Sequence, residues 1–105
     1  MKIMILSTAN TLLEDIVAAK EAGYTSDFMY QDNKILCREN NIWYTAQELV
    51  LVEYCRHEGM NDPGDSSILF LIEASDTTKG CLSSAYGKDA DSGLIEFVLS
   101  LPKKK

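Results

Sequence analysis

The sequence predicts an α+β domain: an antiparallel sheet of about five strands with an N-terminal and a C-terminal helix packed on it. Three observations carry this. Apolar residues recur at helical spacing near both ends of the chain. Between them lie short apolar runs separated by turn residues. The links between most of those runs are too short for a parallel crossover, which needs about a dozen residues or more, so sequence neighbours run antiparallel.

The first helix is predicted over 11–22, "TLLEDIVAAKEA", where Leu12, Leu13, Ile16, Val17 and Ala19 recur three and four apart. Thr11 and Glu14 have capping-box spacing, Asp15 adds charge to the first turn, and Gly23 can take the left-handed stop position. "DFMYQ" (27–31) and "KILCR" (34–38) flank Asp32-Asn33, two residues able to form a tight hairpin turn. "RENN" breaks the pattern, and "TAQE" reads as one helical turn before a third strand, "LVLVEYCRH". "SSILFLIEA" and "GCLSSAY" form the fourth and fifth, joined by the turn "SDTTK", with 66–74 central in the sheet. The second helix, "DADSGLIEFVLSLP", is capped by Asp89 or Asp91 and stopped by Pro102. Residues 102–105 read as a solvated tail of one domain, 1–105, without repeats or linkers.

A chain of 105 residues supports one core. A net charge of −6 disfavours nucleic acid and anionic membrane, and favours a basic partner. No run is long enough to span a membrane, and "MKIMIL" is too short for a signal sequence. The 3 cysteines, Cys37, Cys55 and Cys81, form no C-x-x-C pair; they predict free, buried thiols and a cytoplasmic setting, though non-classical export would leave the same sequence.

Some strands are apolar on both faces. Ile68, Phe70 and Ile72 oppose Leu69 and Leu71, and Leu49 and Leu51 oppose Val50 and Val52. The second helix is apolar almost all round, with Leu94, Ile95, Phe97, Val98, Leu99 and Leu101. Either one helix covers each sheet face, or apolar surface remains for a partner. Leu69, Leu71, Phe97 and Leu99 are the expected partner-binding residues, with a homodimer the simplest way to cover them.

"HEGMNDPGDSS" (57–67) holds the candidate chemistry. His57 is the only histidine, which rules out a two-histidine mechanism. Cys55 lies two residues earlier on the same strand face, at a Cβ separation of about 7 Å, long for a thiolate–imidazole dyad. No Asn or Asp is evidently placed to orient the ring. Glu58, Asp62 and Asp65 offer oxygens to a cation, but calcium-loop spacing is absent and Asp62-Pro63-Gly64-Asp65 reads better as a type II turn. Tyr86 completes the polar candidates. "ILFLIEASDTTKG" (68–80) superficially matches a phosphoribosyl-pyrophosphate loop, but the acids are not adjacent and a strand follows, so a hairpin turn is predicted. No cofactor and no metal site are predicted.

The segments "GYTSDF" (23–28), "EGMNDPGDSSILF" (58–70) and "KGCLSSAYGKDAD" (79–91) resemble a family of small bacterial proteins of about this length, often labelled phosphoribosylpyrophosphate synthetase. The likeness is most specific at Glu58-Gly59, Pro63, Asp65, Ser67-Ile68-Leu69 and Ala85-Tyr86-Gly87, while "NIWYTAQELVL" departs from the pattern. The label implies an enzyme or a phosphate or nucleotide-sugar ligand site. The chain has no nucleotide-binding loop to go with it.

Two functional readings follow. The favoured one is a non-catalytic protein-interaction module, an acidic regulator or inhibitor of a partner protein. The other is a small enzyme or ligand-binding domain centred on His57, Glu58, Asp62, Asp65 and Tyr86. A flat apolar patch favours the first, and a pocket converging on His57 the second.

Overall fold

Thr11 opens the first helix, α1 (Leu12–Glu21), with its hydroxyl accepting from the Glu14 amide while the Glu14 carboxylate accepts from the Thr11 amide. This reciprocal cap satisfies amides that the first helical turn leaves without partners. Gly23 (φ +104°) takes the left-handed stop position, and the Tyr24 amide turns back to the Ala19 carbonyl. The computed structural model describes residues 5–57, 66–86 and 90–104.

Strands β1 (Ser26–Gln31) and β2 (Lys34–Cys37) form a hairpin. Asp32 and Asn33, at φ 50° and 63°, supply the two left-handed residues that a type I′ turn requires. A further strand, β3 (Ile42–Tyr44), pairs with β2. Its 3 residues are too few to show alternation, which is why sequence reasoning found five strands and not six. A 3-10 turn (Ala46–Glu48) leads into β4 (Leu49–His57). Then come β5 (Ser67–Ala74), β6 (Lys79–Ala85) and the second helix, α2 (Ser92–Leu99), whose Leu94 amide donates to Asp91.

The 6-stranded sheet has the order β3-β2-β1-β6-β5-β4, so β5 lies inside it as expected. All neighbours are antiparallel except β1 and β6, which run parallel through Ser26–Gly80 and Asp27–Cys81. Short links dictate the direction of consecutive strands only, and β1 and β6 are far apart in the chain. At this seam a Cβ on Gly80 would lie 2.5 Å from the Ser26 carbonyl oxygen, so the close approach requires glycine.

One helix lies on each face. The larger core, under α2, draws on all six strands, including Phe28, Ile35, Tyr44, Leu51, Phe70 and Leu82. The smaller core, under α1, holds Leu6, Ala19, Tyr24, Cys55, Leu69, Leu71 and Cys81, with strand residues from β4, β5 and β6 alone. Leu69 and Leu71, expected to meet a partner, are 1% and 0% exposed. They are lost to α1, which closes this half of the face. Phe97 is partly buried against the larger core and stacks on Tyr30, leaving Leu99 as the expected contact with substantial exposure.

Residues 102–104 are exposed in side chain, but their backbone is tied to β4. The Leu51 amide donates to the Pro102 carbonyl and the Lys104 amide to the Leu51 carbonyl, while the Lys104 ammonium pairs with Glu73. What sequence reasoning took for a solvated tail therefore covers part of the outer edge of β4.

Candidate functional site

A bulge in β4 determines what lies beneath α1. Leu51 pairs with Ile72 and Glu53 with Leu71, so two residues of β4 advance against one of β5. Leu51 therefore points into the α2-side core, while Glu53, Cys55 and His57 point toward α1. Without the bulge, strict alternation would send these three to the other face.

The polar groups so aimed are buried and mostly satisfied. Both Glu53 oxygens accept from the Ile5 amide and Oε1 also from the Leu6 amide, at 3.0 Å each, which holds the entering chain against the sheet. Asp15, 0% exposed, accepts from the Ser7 amide and from Asn10 Nδ2 at 2.7 Å. Its Oδ2 lies 2.7 Å from Nε2 of His57, which is 5% exposed. Asp15 thus orients the ring that was expected to lack an orienting acid. Nδ1 of His57 has no hydrogen-bond partner among the described residues. A ring nitrogen of His57, an oxygen of Asp15 and Cys55 Sγ all lie within 4.8 Å of one another.

Burial pushes the Cys55 thiol up from its ordinary value, and the Asp15 and Glu53 charges push it further. A nucleophilic cysteine needs the opposite shift. The other expected site residues do not join this cluster. Tyr86 packs against the α2-side core, with the Arg56 guanidinium 5.1 Å from its ring centroid, so it and His57 belong to opposite faces. Glu58, Asp62 and Asp65, and the turn read at 62–65, lie outside the described residues. Cys37, Cys55 and Cys81 are free and buried, as expected.

The second candidate is the same face of the sheet over β1, β2 and β3. Met29 pairs with Leu36, and Leu36 with Trp43, so the three side chains stand in one row across three strands. Their neighbours Phe28, Tyr30, Ile35, Cys37 and Tyr44 alternate with them and belong to the α2 side. Trp43 is 46% exposed and Met29 38%, with Leu36 half-buried between them. Gln31, Asp32 and Lys34 join Trp43 around a shallow cleft of about 340 Å³. At the boundary with α1, Asp27, Arg38 and Ile16 line a second cleft of about 200 Å³, and Lys20 of α1 pairs with Asp27 at 3.3 Å.

Sequence reasoning missed both arrangements. Asp15 had a signal: it falls between Leu12, Ile16 and Ala19 on the stripe that the helix buries, where a carboxylate needs a buried partner. The row had none, because β3 itself was not recognised.

Comparison with protein-family models, curated proteins and solved structures gives no match.

Proposed function

We propose that this chain is a non-catalytic protein-interaction module that docks a partner on the open face of β1, β2 and β3. The row Met29–Leu36–Trp43 carries this reading. Complete burial of each such side chain contributes roughly 1.5–3 kcal/mol, and tryptophan is among the residues that most often dominate an interface. The polar rim of Gln31, Asp32 and Lys34 suits a surface that must stay soluble when alone. A chain of net charge −6 steers a basic partner toward it, as befits an acidic regulator or inhibitor. A second copy is the other occupant: edge strand β3 and the row beside it can pair with themselves across a two-fold axis.

The surface differs from the one expected from sequence. Leu69 and Leu71 are inside, so the docking residues move to the strands that α1 does not reach. An enzyme reading has less to work with: His57 is buried and the Cys55 thiol is pushed away from reactivity.

A photo-crosslinking residue at position 36 tests the proposal, with one at position 84 as control. In cells of the source organism, position 36 should capture a defined basic protein, or a second copy, while position 84 captures neither. Light scattering on the purified chain separates the two occupants. Equal crosslinking from both positions, or none from position 36, would overturn the docking surface.

A further inference from the structure

The β4 bulge brings a thiol, an imidazole and a carboxylate together beneath α1, and a purely structural role accounts for only part of that arrangement. The Asp15–His57 contact alone makes a buried polar link between helix and sheet. It does not explain why a thiol shares the cluster, or why Nδ1 finds no partner among the described residues. An orphaned buried nitrogen costs about 1–3 kcal/mol, which the Asp15 contact has to offset.

We propose that Asp15, Cys55 and His57 bind a zinc ion. The donor set is one soft sulfur, one borderline nitrogen and one hard oxygen, the combination that zinc accepts at about 2.0–2.3 Å per bond. The three atoms already lie within 4.8 Å of one another, so the site requires local adjustment and no change of fold. Two elements of different kind supply the donors: Asp15 is fixed by the α1 cap and its bonds to Ser7 and Asn10, and the other two by the β4 register.

The chemistry balances. The ion takes the position between Nε2 and Oδ2 that the hydrogen bond now occupies. Zinc on Nε2 requires the neutral ring to keep its proton on Nδ1 and to present Nε2 as a lone pair. Cys55 loses its thiol proton to solvent, and thiolate plus carboxylate cancel the charge of the dication. A neutral cluster is what a buried setting tolerates. Three protein donors leave one tetrahedral position for water. The absence of zinc-finger spacing hid this set from sequence reasoning, which expected no metal: its members are 40 and 42 residues apart on the helix side and only two apart on the strand.

The full chain, stripped of metal with a chelator, should be titrated with Zn²⁺ and with Co²⁺ as a spectroscopic substitute. One ion per chain should bind, with the sulfur-to-cobalt charge-transfer band that a thiolate ligand produces. That band should vanish in Cys55→Ser and persist in Cys37→Ser and Cys81→Ser. His57→Gln and Asp15→Asn should each weaken zinc binding by more than the roughly hundredfold that loss of an outer-shell partner can cost. Where a variant fails to fold, the wild-type chain still decides the question. It has 1 histidine, so the ¹⁵N resonances of that ring report zinc directly by NMR. Unmoved ring resonances at saturating Zn²⁺, or a cobalt band that survives in Cys55→Ser, would overturn the site.

Discussion

Two halves of one sheet face meet solvent in opposite ways. Over β4, β5 and β6 the face is roofed by α1, and its buried polar groups are tied to the helix and to residues 5–10. Over β1, β2 and β3 the same face bears a row of apolar side chains that no helix among the described residues covers. Size explains the division. Six strands at about 4.8 Å span roughly 25–30 Å and a helix with its side chains is about 10–12 Å across, so α1 covers only part of its face. On the other face, residues of all six strands share one core with α2. Exposed apolar side chains do remain on the α1 face, at Met29 and Trp43, but not on the strands whose two-faced pattern raised the expectation.

The comparison breaks most severely at the seam. Two ladder pairs join the sheet halves, Ser26–Gly80 and Asp27–Cys81, and Gly80 admits no side chain. Gly80→Val should destabilise the chain by about 3 kcal/mol or more in urea denaturation, at the upper end of overpacking costs. Hydrogen exchange should then accelerate in β1, β2 and β3 well before β5. Uniform acceleration would mean that the halves do not separate.

Next comes the roof. Asp15→Ala removes the buried partner of His57 and the acceptor for the Ser7 amide and for Asn10. Breaking a buried pair in this way costs about 3–5 kcal/mol. A loss below about 1 kcal/mol in the same denaturation assay would show that the polar cluster does not hold α1 in place.

The open half should respond in the reverse sense. Trp43→Ala ought to leave the isolated chain within about 1 kcal/mol of wild type, because the ring is substantially exposed. Affinity for the captured partner should fall by about 2 kcal/mol or more, near thirtyfold, if the ring anchors the interface. Leu71→Ala, on the roofed half, should show the opposite pair of effects, costing about 2–5 kcal/mol of stability. Isothermal calorimetry and urea denaturation on both variants separate the two.

How much of this was legible depended on whether a feature was local. Thr11 with Glu14, Gly23, the Asp32-Asn33 turn and the apolar run 68–72 each announce themselves within a few residues, and each stands as expected. The parallel seam, the edge pairing at Leu51 and the Asp15–His57 contact join residues 42 or more apart, and no periodicity encodes them. The bulge is the decisive case. "LVLVEYCRH" looks like one continuous alternation, and its buried positions are indeed all odd-numbered. Yet Leu51 and Glu53 serve opposite faces, so the pattern was right residue by residue and silent on which core each residue joins.

The smallest effect links the edge of the open half to the body of the sheet. Tyr44 of β3 donates its hydroxyl proton to Asp76, at 2.7 Å, in the turn between β5 and β6, and the Thr78 amide donates to the same carboxylate. The Tyr44 hydrogen bond and then those from Thr78 hold the Asp76 carboxyl below its ordinary value of 3.8. A depressed carboxyl contributes stability that is present above the unfolded-state value and is lost as pH falls through the lower folded-state value. The window therefore lies at and below pH 3.8, and nothing should change near neutrality. Asp76 is exposed, so the contribution is small and salt weakens it. Tyr44→Phe removes the principal donor while keeping the buried ring, so it should lower the neutral plateau slightly and flatten the acid limb by the same small amount. An acid limb identical in wild type and Tyr44→Phe would mean that β3 is held to the sheet by its ladder and its buried ring alone.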